Sequence, residues 1–360
     1  MRVVSLFSGC GGLDLGIERA GFTLIAANDL DSRCAASHAR NFADVPFFLG
    51  SVTDFVAALD ARELGYPGLD EVDLLVGGPP CPPYSKSRFY RKDKPRALAD
   101  EVGEETIAGY LDALRLLQPR AFLLENVPGL AYKVHQDALD HILSTADGLG
   151  YSCSWQIVNA ADYGVPQIRE RFILVGMQGA AFEFPTQTHA KDPNKTLLST
   201  SALPWRTAGD AICDLDSDEN ADDAGHFAGG QYHDLLCEIP PGENYLYFTE
   251  KRGHPEPRFK WRSRYWSFLL KLSPDLPSWT IQARRSNNMG PFHWRNRILR
   301  IEEVKRLQTF PDGWYLDGTI EQQWRQVGNA VPPALAEHLG NELFAQLRAN
   351  VRNTELSSAA

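Results

Sequence analysis

The chain opens with a short apolar run, Arg2 to Phe7, followed by a glycine cluster and then by apolar positions at helical spacing from Leu13 to Ala20. A change from a continuous run to a 3.6-residue period predicts a buried strand, a tight turn and an amphipathic helix. The pattern then repeats. Phe22 to Asn28 reads as a strand, Asp31 to Phe42 as a helix, Pro46 to Leu49 as a strand, Thr53 to Ala61 as a helix and Val72 to Val76 as a fully buried strand. Further on, Thr106 to Leu117 is amphipathic and Ala121 to Leu124 is another buried strand. Ala138 to Leu149 reads as a helix, and Ser152 to Val158 and Phe172 to Val175 as strands. Strands alternating with helices predict an α/β fold on a parallel sheet. From about Phe184 the periodicity lapses, and Asp210 to Asp223 carries seven acids without a base. Helical spacing returns in Arg297 to Phe310 and in Ala334 to Leu347.

With 360 residues, 43% of them apolar, the chain is long enough for one large domain and a smaller one. No signal peptide precedes the first strand, and no apolar run approaches the roughly 20 residues of a membrane helix. Six cysteines at irregular spacing form neither a disulfide framework nor a CxxC pair, so a reduced cytoplasm is the expected location and no metal site is expected. The net charge of −10 argues against a nucleic-acid partner until its distribution is considered. Residues 251 to 300 hold twelve Lys or Arg against Glu256 and Asp275, a local balance of +10. There, KRGHPEPRFKWRSRYW interleaves bases with aromatics, the composition of a surface that tracks phosphates and stacks on bases. A solvated charged face is the plainer alternative, but Trp261, Tyr265 and Trp266 are an odd choice for one.

Three stretches carry candidate chemistry. In SGCGG the glycines lie at a strand-to-helix turn, where backbone and helix N-terminal amides can approach a ligand. Asp14 stands where a dinucleotide GxGxxG pattern needs glycine, which points to an adenosine-bearing cofactor other than a nicotinamide. Asp29, at the end of the second strand, is placed to accept from ribose hydroxyls. Gly77 to Ser87, GGPPCPPYSKS, is a stiff turn at a strand's carboxyl end that presents Cys81 as a candidate nucleophile or, more blandly, as a small buried residue. A basic loop, Lys86 to Arg96, follows it. Glu125 directly follows a buried strand, which is costly unless the carboxylate is paired or has a task. In YGVPQIRERF, Gln167, Arg169 and Arg171 alternate and on an extended chain would share one face.

Taken in order, FSGCGG, PPC, ENV, QIRER, KRLQTFP and GNAVPP resemble the DNA (cytosine-5)-methyltransferase family of bacterial type over almost the whole chain. The resemblance implies a Rossmann-like domain that binds S-adenosylmethionine, residues 1–184 and 318–360, and a smaller, mostly irregular or β target-recognition domain, residues 185–317. It implies transfer of a methyl group to carbon 5 of a flipped-out cytosine in a specific double-stranded DNA sequence. Cys81 would be the nucleophile at carbon 6, Glu125 the acid at ring nitrogen 3, and Arg171, with Arg169 behind or beside it, the partner of the ring carbonyl. For the cofactor the resemblance carries over Phe7, Ser8, Gly9, Cys10, Gly11, Gly12, Leu13, Asp29, Leu30, Ser51, Val52, Pro80, Asn329 and Ala330. For DNA it points to Ser85, Lys86, Arg88 and Gln167, and the basic segment adds Arg258, Lys260, Arg262, Arg264, Arg284 and Arg285. A restriction endonuclease or another defence protein would be the natural partner.

Four positions depart from the family pattern. Pro82 follows the nucleophile where Gln is common, Ser51 stands where an Asp usually accepts from the adenine amine, Ser5 replaces an acid before Leu6-Phe7, and Glu302 replaces an Arg.

Overall fold

The computed structural model describes residues 1–80, 101–193, 202–216, 226–228 and 230–358. The strands are β1 (Arg2–Leu6), β2 (Thr23–Asp29), β3 (Phe47–Leu49), β4 (Leu74–Gly77), β5 (Ala121–Asn126), β6 (Tyr151–Asn159), the two-residue β7 (Gln167–Ile168) and β8 (Glu170–Gln178). Seven of them form one sheet in the order β3-β2-β1-β4-β5-β8-β6. The helices Gly12–Arg19, Ser32–Asn41, Val52–Asp60, Glu101–Leu117 and Gln136–Gly148 fall within one to a few residues of the periodic stretches. The largest shift is at Glu101–Leu117, which begins five residues before the apolar stripe.

The sheet is not parallel throughout, which corrects the reading drawn from alternation. β1, β2, β3, β4 and β5 are mutually parallel, whereas β8 runs antiparallel to both β5 and β6. The reason is local: the segment between β6 and β8 is too short for a helical crossover, so β8 returns beside its neighbour. This reversal matters for the site, because Asn126 at the end of β5 pairs with Phe172 near the start of β8. QIRER therefore arrives at the same sheet edge as ENV.

Two apolar clusters cover the sheet. One is built on Val4, Leu6, Phe55, Leu75, Ile107, Leu114, Phe122 and Ile142. The other, built on Val3, Ile17, Leu74, Leu123, Ile173 and Leu339, continues into Tyr245, Phe268, Leu299 and Leu307. The described part of residues 185–317 holds two-residue strands, short helices and single turns, and shares its apolar side with that second cluster. The two-residue strand Ser278–Trp279 pairs with β7 and ties this region to the sheet.

The long C-terminal helix Pro333–Ser358 lies against Gly12–Arg19. Contact is close enough at Gly16 that a Cβ there would sit 2.4 Å from the Ala336 Cβ and 2.5 Å from the Pro333 carbonyl oxygen. Since neither helix backbone can retreat without opening the core, Gly16→Val is expected to cost about 3 kcal/mol. Urea unfolding of the two proteins checks this, and a loss under about 1 kcal/mol would mean that the helices separate easily.

Candidate active site

A cavity of about 470 Å³ opens along the carboxyl edge of the parallel strands. This is where open α/β sheets bind ligands, and the volume suits a nucleoside-sized molecule. Its wall takes Phe7, Ser8, Gly9, Gly12 and Leu13 from the turn after β1, Asp29 and Leu30 from the end of β2, and Ser51 and Val52 from beyond β3. Pro80, Glu125, Arg169, Arg171, Asn329 and Ala330 complete the expected set. Asn28, Asp31, Cys34, Glu105, Thr106, Val127, Arg325, Gln326 and Val331 also line it and were not singled out from the sequence. Each is a neighbour of a motif residue or belongs to a helix that packs over the edge, and only the fold brings them there.

The glycine turn is shaped by its backbone. Phe7, Gly9 and Gly11 all have positive φ, and at Gly9 an added Cβ would meet nothing within 4 Å, so its backbone faces open space. The Gly9 amide donates to Asp29 Oδ2 at 2.8 Å, and Asp31 N donates to Asp29 Oδ1 at 2.9 Å. Burial nevertheless pushes the Asp29 carboxyl above its ordinary range.

Cys10 and Gly11, also expected at the cofactor, stand behind the cavity wall rather than in it. Cys10 is buried in the apolar core, where desolvation drives its thiol pKa up, and its carbonyl accepts from Trp314 Nε1 at 3.0 Å. Gly11 caps the helix in the left-handed region, with the Phe42 ring so close that a Cβ would lie 2.5 Å from it.

The departure at Ser5 is explained by Asp14. Ser5 and Asp14 meet beneath the turn, with Ser5 Oγ donating to Asp14 Oδ1 at 2.5 Å and Ser8 Oγ donating to Ser5 Oγ at 2.9 Å. His38 Nε2 lies 3.3 Å from the other Asp14 oxygen. The carboxylate missing from the strand is supplied by the helix, so the turn still rests on a buried acid. Ser51, by contrast, is committed elsewhere: its hydroxyl donates to Asp54 Oδ2 at 2.7 Å and accepts from Asp54 N at 3.0 Å, capping the helix Val52–Asp60.

β4 and β5 deliver the proline turn and Glu125 to the cavity. Asn126 Nδ2 donates to the Pro79 carbonyl at 3.2 Å and fastens the proline turn to the end of β5. Cys81, Ser85, Lys86 and Arg88 lie outside the described residues; the described chain reaches the cavity wall at Pro80, the residue before Cys81. Glu125 Oε1 accepts from Arg171 Nε at 2.7 Å, both side chains being nearly buried. Burial raises the Glu125 pKa, while the charges of Arg171 and then Arg169 pull it back.

Arg169 and Gln167 have other duties than those expected of them. Arg169 is fully buried and donates to three backbone carbonyls: Ile281 at 3.1 Å, Gly328 at 2.8 Å and Ala330 at 2.9 Å. It is a clamp behind Arg171, one of the two placements that the resemblance allowed. Gln167, expected at the DNA, is equally buried. Its amide donates to Leu307 O and Gln308 Oε1 and accepts from Ile281 N, so no polar atom is left for a surface contact.

The basic segment is on the surface. Arg258, Lys260, Arg262, Arg264 and Arg284 are exposed, as are Trp261, Tyr265 and Trp266. Arg258 pairs with Glu256, Arg264 stands over the Phe268 ring, and Arg285, mostly covered, pairs with Glu321. Among the described residues no group of His, Cys, Asp and Glu could hold a metal, and no helix is long and apolar enough to cross a membrane.

This edge, with its glycine turn, proline turn and buried Glu–Arg pair, occurs in a sequence that matches the family model of C-5 cytosine-specific DNA methylases over residues 1–345. The chain belongs to that family. It is 36% identical to the Type II methyltransferase M.SacI of Streptomyces achromogenes, covering 96% of this chain and 93% of the relative. To M.NgoPII of Neisseria gonorrhoeae it is 30% identical, with 93% of each chain covered. Among solved structures, a DNA modification methyltransferase encoded within an E. coli prophage superposes with a TM-score of 0.67 at 22% identity, covering 97% and 99% of the two chains. The Dnmt2 methyltransferase of S. pombe gives 0.61 at 15% identity, covering 98% and 99%. These two likenesses establish the Rossmann-like fold. The protein is thus a DNA methyltransferase acting on carbon 5 of cytosine with S-adenosylmethionine as donor.

The cavity fits that donor. Gly9 leaves open space where a side chain would stand, and three carboxylates besides Glu125, of Asp29, Asp31 and Glu105, line the cavity. They suit the hydroxyl and amine donors of an adenosine.

Removing the clamp tests how the site is held. Arg169→Met should cost about 3 kcal/mol or more, because three buried carbonyls lose their donor. Denaturant unfolding measures this, and a loss under about 1 kcal/mol would show that water or a neighbour replaces the guanidinium.

Proposed function

We propose that this methyltransferase flips its target cytosine out of double-stranded DNA and forms a covalent bond from Cys81 to carbon 6. The observation that carries the reading is the Glu125–Arg171 pair, held at 2.7 Å beside the proline turn that leads into Cys81. Carbon 5 of cytosine is a poor nucleophile. Addition of the Cys81 thiolate at carbon 6 makes an enamine whose carbon 5 can attack an electrophile. S-adenosylmethionine supplies that electrophile as a methyl group on sulfonium sulfur.

Addition places negative charge on ring nitrogen 3. Glu125, whose pKa is raised by burial, is the acid placed to donate a proton there. Arg171 uses Nε on Glu125 and Nη1 on the Glu170 carbonyl, which leaves Nη2 for the carbonyl at ring position 2. The donor leaves as the neutral thioether S-adenosylhomocysteine; loss of the carbon 5 proton to a base then expels the Cys81 thiolate, and nitrogen 3 returns its proton to the Glu125 carboxylate, which restores the ring. A stacked base cannot reach these groups, which is why flipping is required. The basic residues that follow Cys81, among them Lys86 and Arg88, and the exposed segment from Arg258 to Arg264 would neutralise phosphates. The irregular segment within residues 185–317 would choose the sequence. The naming of several relatives as Type II methyltransferases supports a role beside a cognate restriction endonuclease.

The adduct is tested with DNA carrying 5-fluorocytosine at the target, where fluorine cannot leave as the proton does. Wild type with cofactor should give a denaturation-resistant protein–DNA band, and Cys81→Ser should give none. A band in the mutant would assign the nucleophile elsewhere.

For Glu125→Gln, kcat should fall about 100-fold or more, since an amide cannot lend the proton. Because burial raises the Glu125 pKa, wild-type activity should decline as pH rises through that value, and single-turnover rates of the variant should lose this limb. Neutralising Arg258, Lys260, Arg262 and Arg264 together should weaken DNA binding and lower the slope of log K against log salt by roughly 3 to 4. An unchanged slope would make the segment a solvated face.

A further inference from the structure

Four carboxylates line the cavity, and three of them are already engaged. Asp29 accepts backbone amides on both oxygens, Asp31 caps the helix Ser32–Asn41 and pairs with Arg325 at 2.8 Å, and Glu125 pairs with Arg171. Glu105, from the helix Glu101–Leu117, differs. Its Oε1 accepts from Thr53 Oγ1 at 3.2 Å, and its Oε2 has no partner among the described residues. Thr53 directly follows Ser51 and Val52, so Glu105 is anchored at the end of the cavity that lies beyond β3.

Sheet order says which part of the cofactor comes there. The reacting groups stand at the ends of β4 and β5, Asp29 at the end of β2, and Ser51 beyond β3. A sulfonium near Glu125 with its ribose at Asp29 directs the purine toward Ser51. The exocyclic amine of a purine is a hydrogen-bond donor and needs an acceptor. Ser51 is the weaker acceptor, because its neutral hydroxyl already donates to and accepts from Asp54 and keeps a single lone pair.

We propose that Glu105 is the acceptor for the purine exocyclic amine and so a specificity-determining residue for adenosine over other nucleosides at the donor site. The carboxylate lines the cavity, is held by Thr53 through one oxygen and keeps the other without a partner among the described residues. A charged acceptor is worth more than a neutral one and would discriminate against a 6-oxo purine, whose carbonyl would face it. The inference rests on the reacting edge assigned above, but binding of the demethylated product is measured without DNA and is independent of whether Cys81 reacts.

The test is calorimetry with S-adenosylhomocysteine and with its analogue carrying hydrogen in place of the exocyclic amine, on wild type and Glu105→Ala. Wild type should bind the amine-bearing ligand about 10-fold more tightly than the analogue. In Glu105→Ala that preference should nearly vanish, through weaker binding of the amine-bearing ligand alone. Equal weakening of both ligands would show that Glu105 only shapes the cavity, and an unchanged preference would place the acceptor on another group; either overturns the proposal.

Discussion

The guanidinium of Arg169 is the interaction on which the site depends. Buried completely, it can exist there only with its charge spread over hydrogen bonds, and the acceptors it has are backbone carbonyls from Ile281, Gly328 and Ala330. Those carbonyls belong to segments more than 100 residues distant in sequence. One side chain therefore joins the start of β8, the chain leaving the basic segment and the turn before the C-terminal helix. Its position also puts a second positive charge behind Glu125, which tempers the effect of burial on that carboxyl.

Reversal of β8 is the structural device that makes this possible. In a parallel sheet the residues that reach the ligand edge are those at the carboxyl ends of strands. A strand running the other way brings its first residues to the same edge. Arg171 is thus set beside Glu125 although one lies at the start of its strand and the other near the end. The clamp residue Arg169 lies immediately before β8 and bonds the carbonyls at the C-terminal end of the helix Ile320–Asn329.

A buried or half-buried acid recurs at each part of the cavity. Asp14 takes the Ser5 hydroxyl beneath the glycine turn, Asp29 gathers the amides of Gly9 and Asp31, and Glu125 holds Arg171. Buried carboxylates are tolerated where each finds donors, and here those donors are the residues whose positions matter for binding. The rigidity of the site and the satisfaction of its polar groups are therefore the same requirement. Phe7 in the left-handed region shows that the turn also holds some backbone strain.

What the sequence by itself determined was the order and kind of the elements and the residues at their carboxyl ends. Continuous apolar runs such as Ala121 to Leu124, set between helical stretches, read as strands in a covered sheet, and a polar residue ending such a run, Glu125 or Asp29, then stands at its edge. The motifs then assigned the chemistry. Tertiary structure alone decided which polar side chains face the ligand and which hold the frame. Gln167, Arg169 and Arg171 alternate identically along the chain, yet the first two are consumed by carbonyls and amides from residues 281 to 330 and only the third is left for a substrate. Cys10 and Gly11 were likewise indistinguishable from Gly9 until Phe42 and Trp314 were seen to pack behind them. Glu105 carries no motif at all. Partners distant in sequence decide whether a polar group is spent or available, and periodicity, which reports only on near neighbours along the chain, contains no record of them.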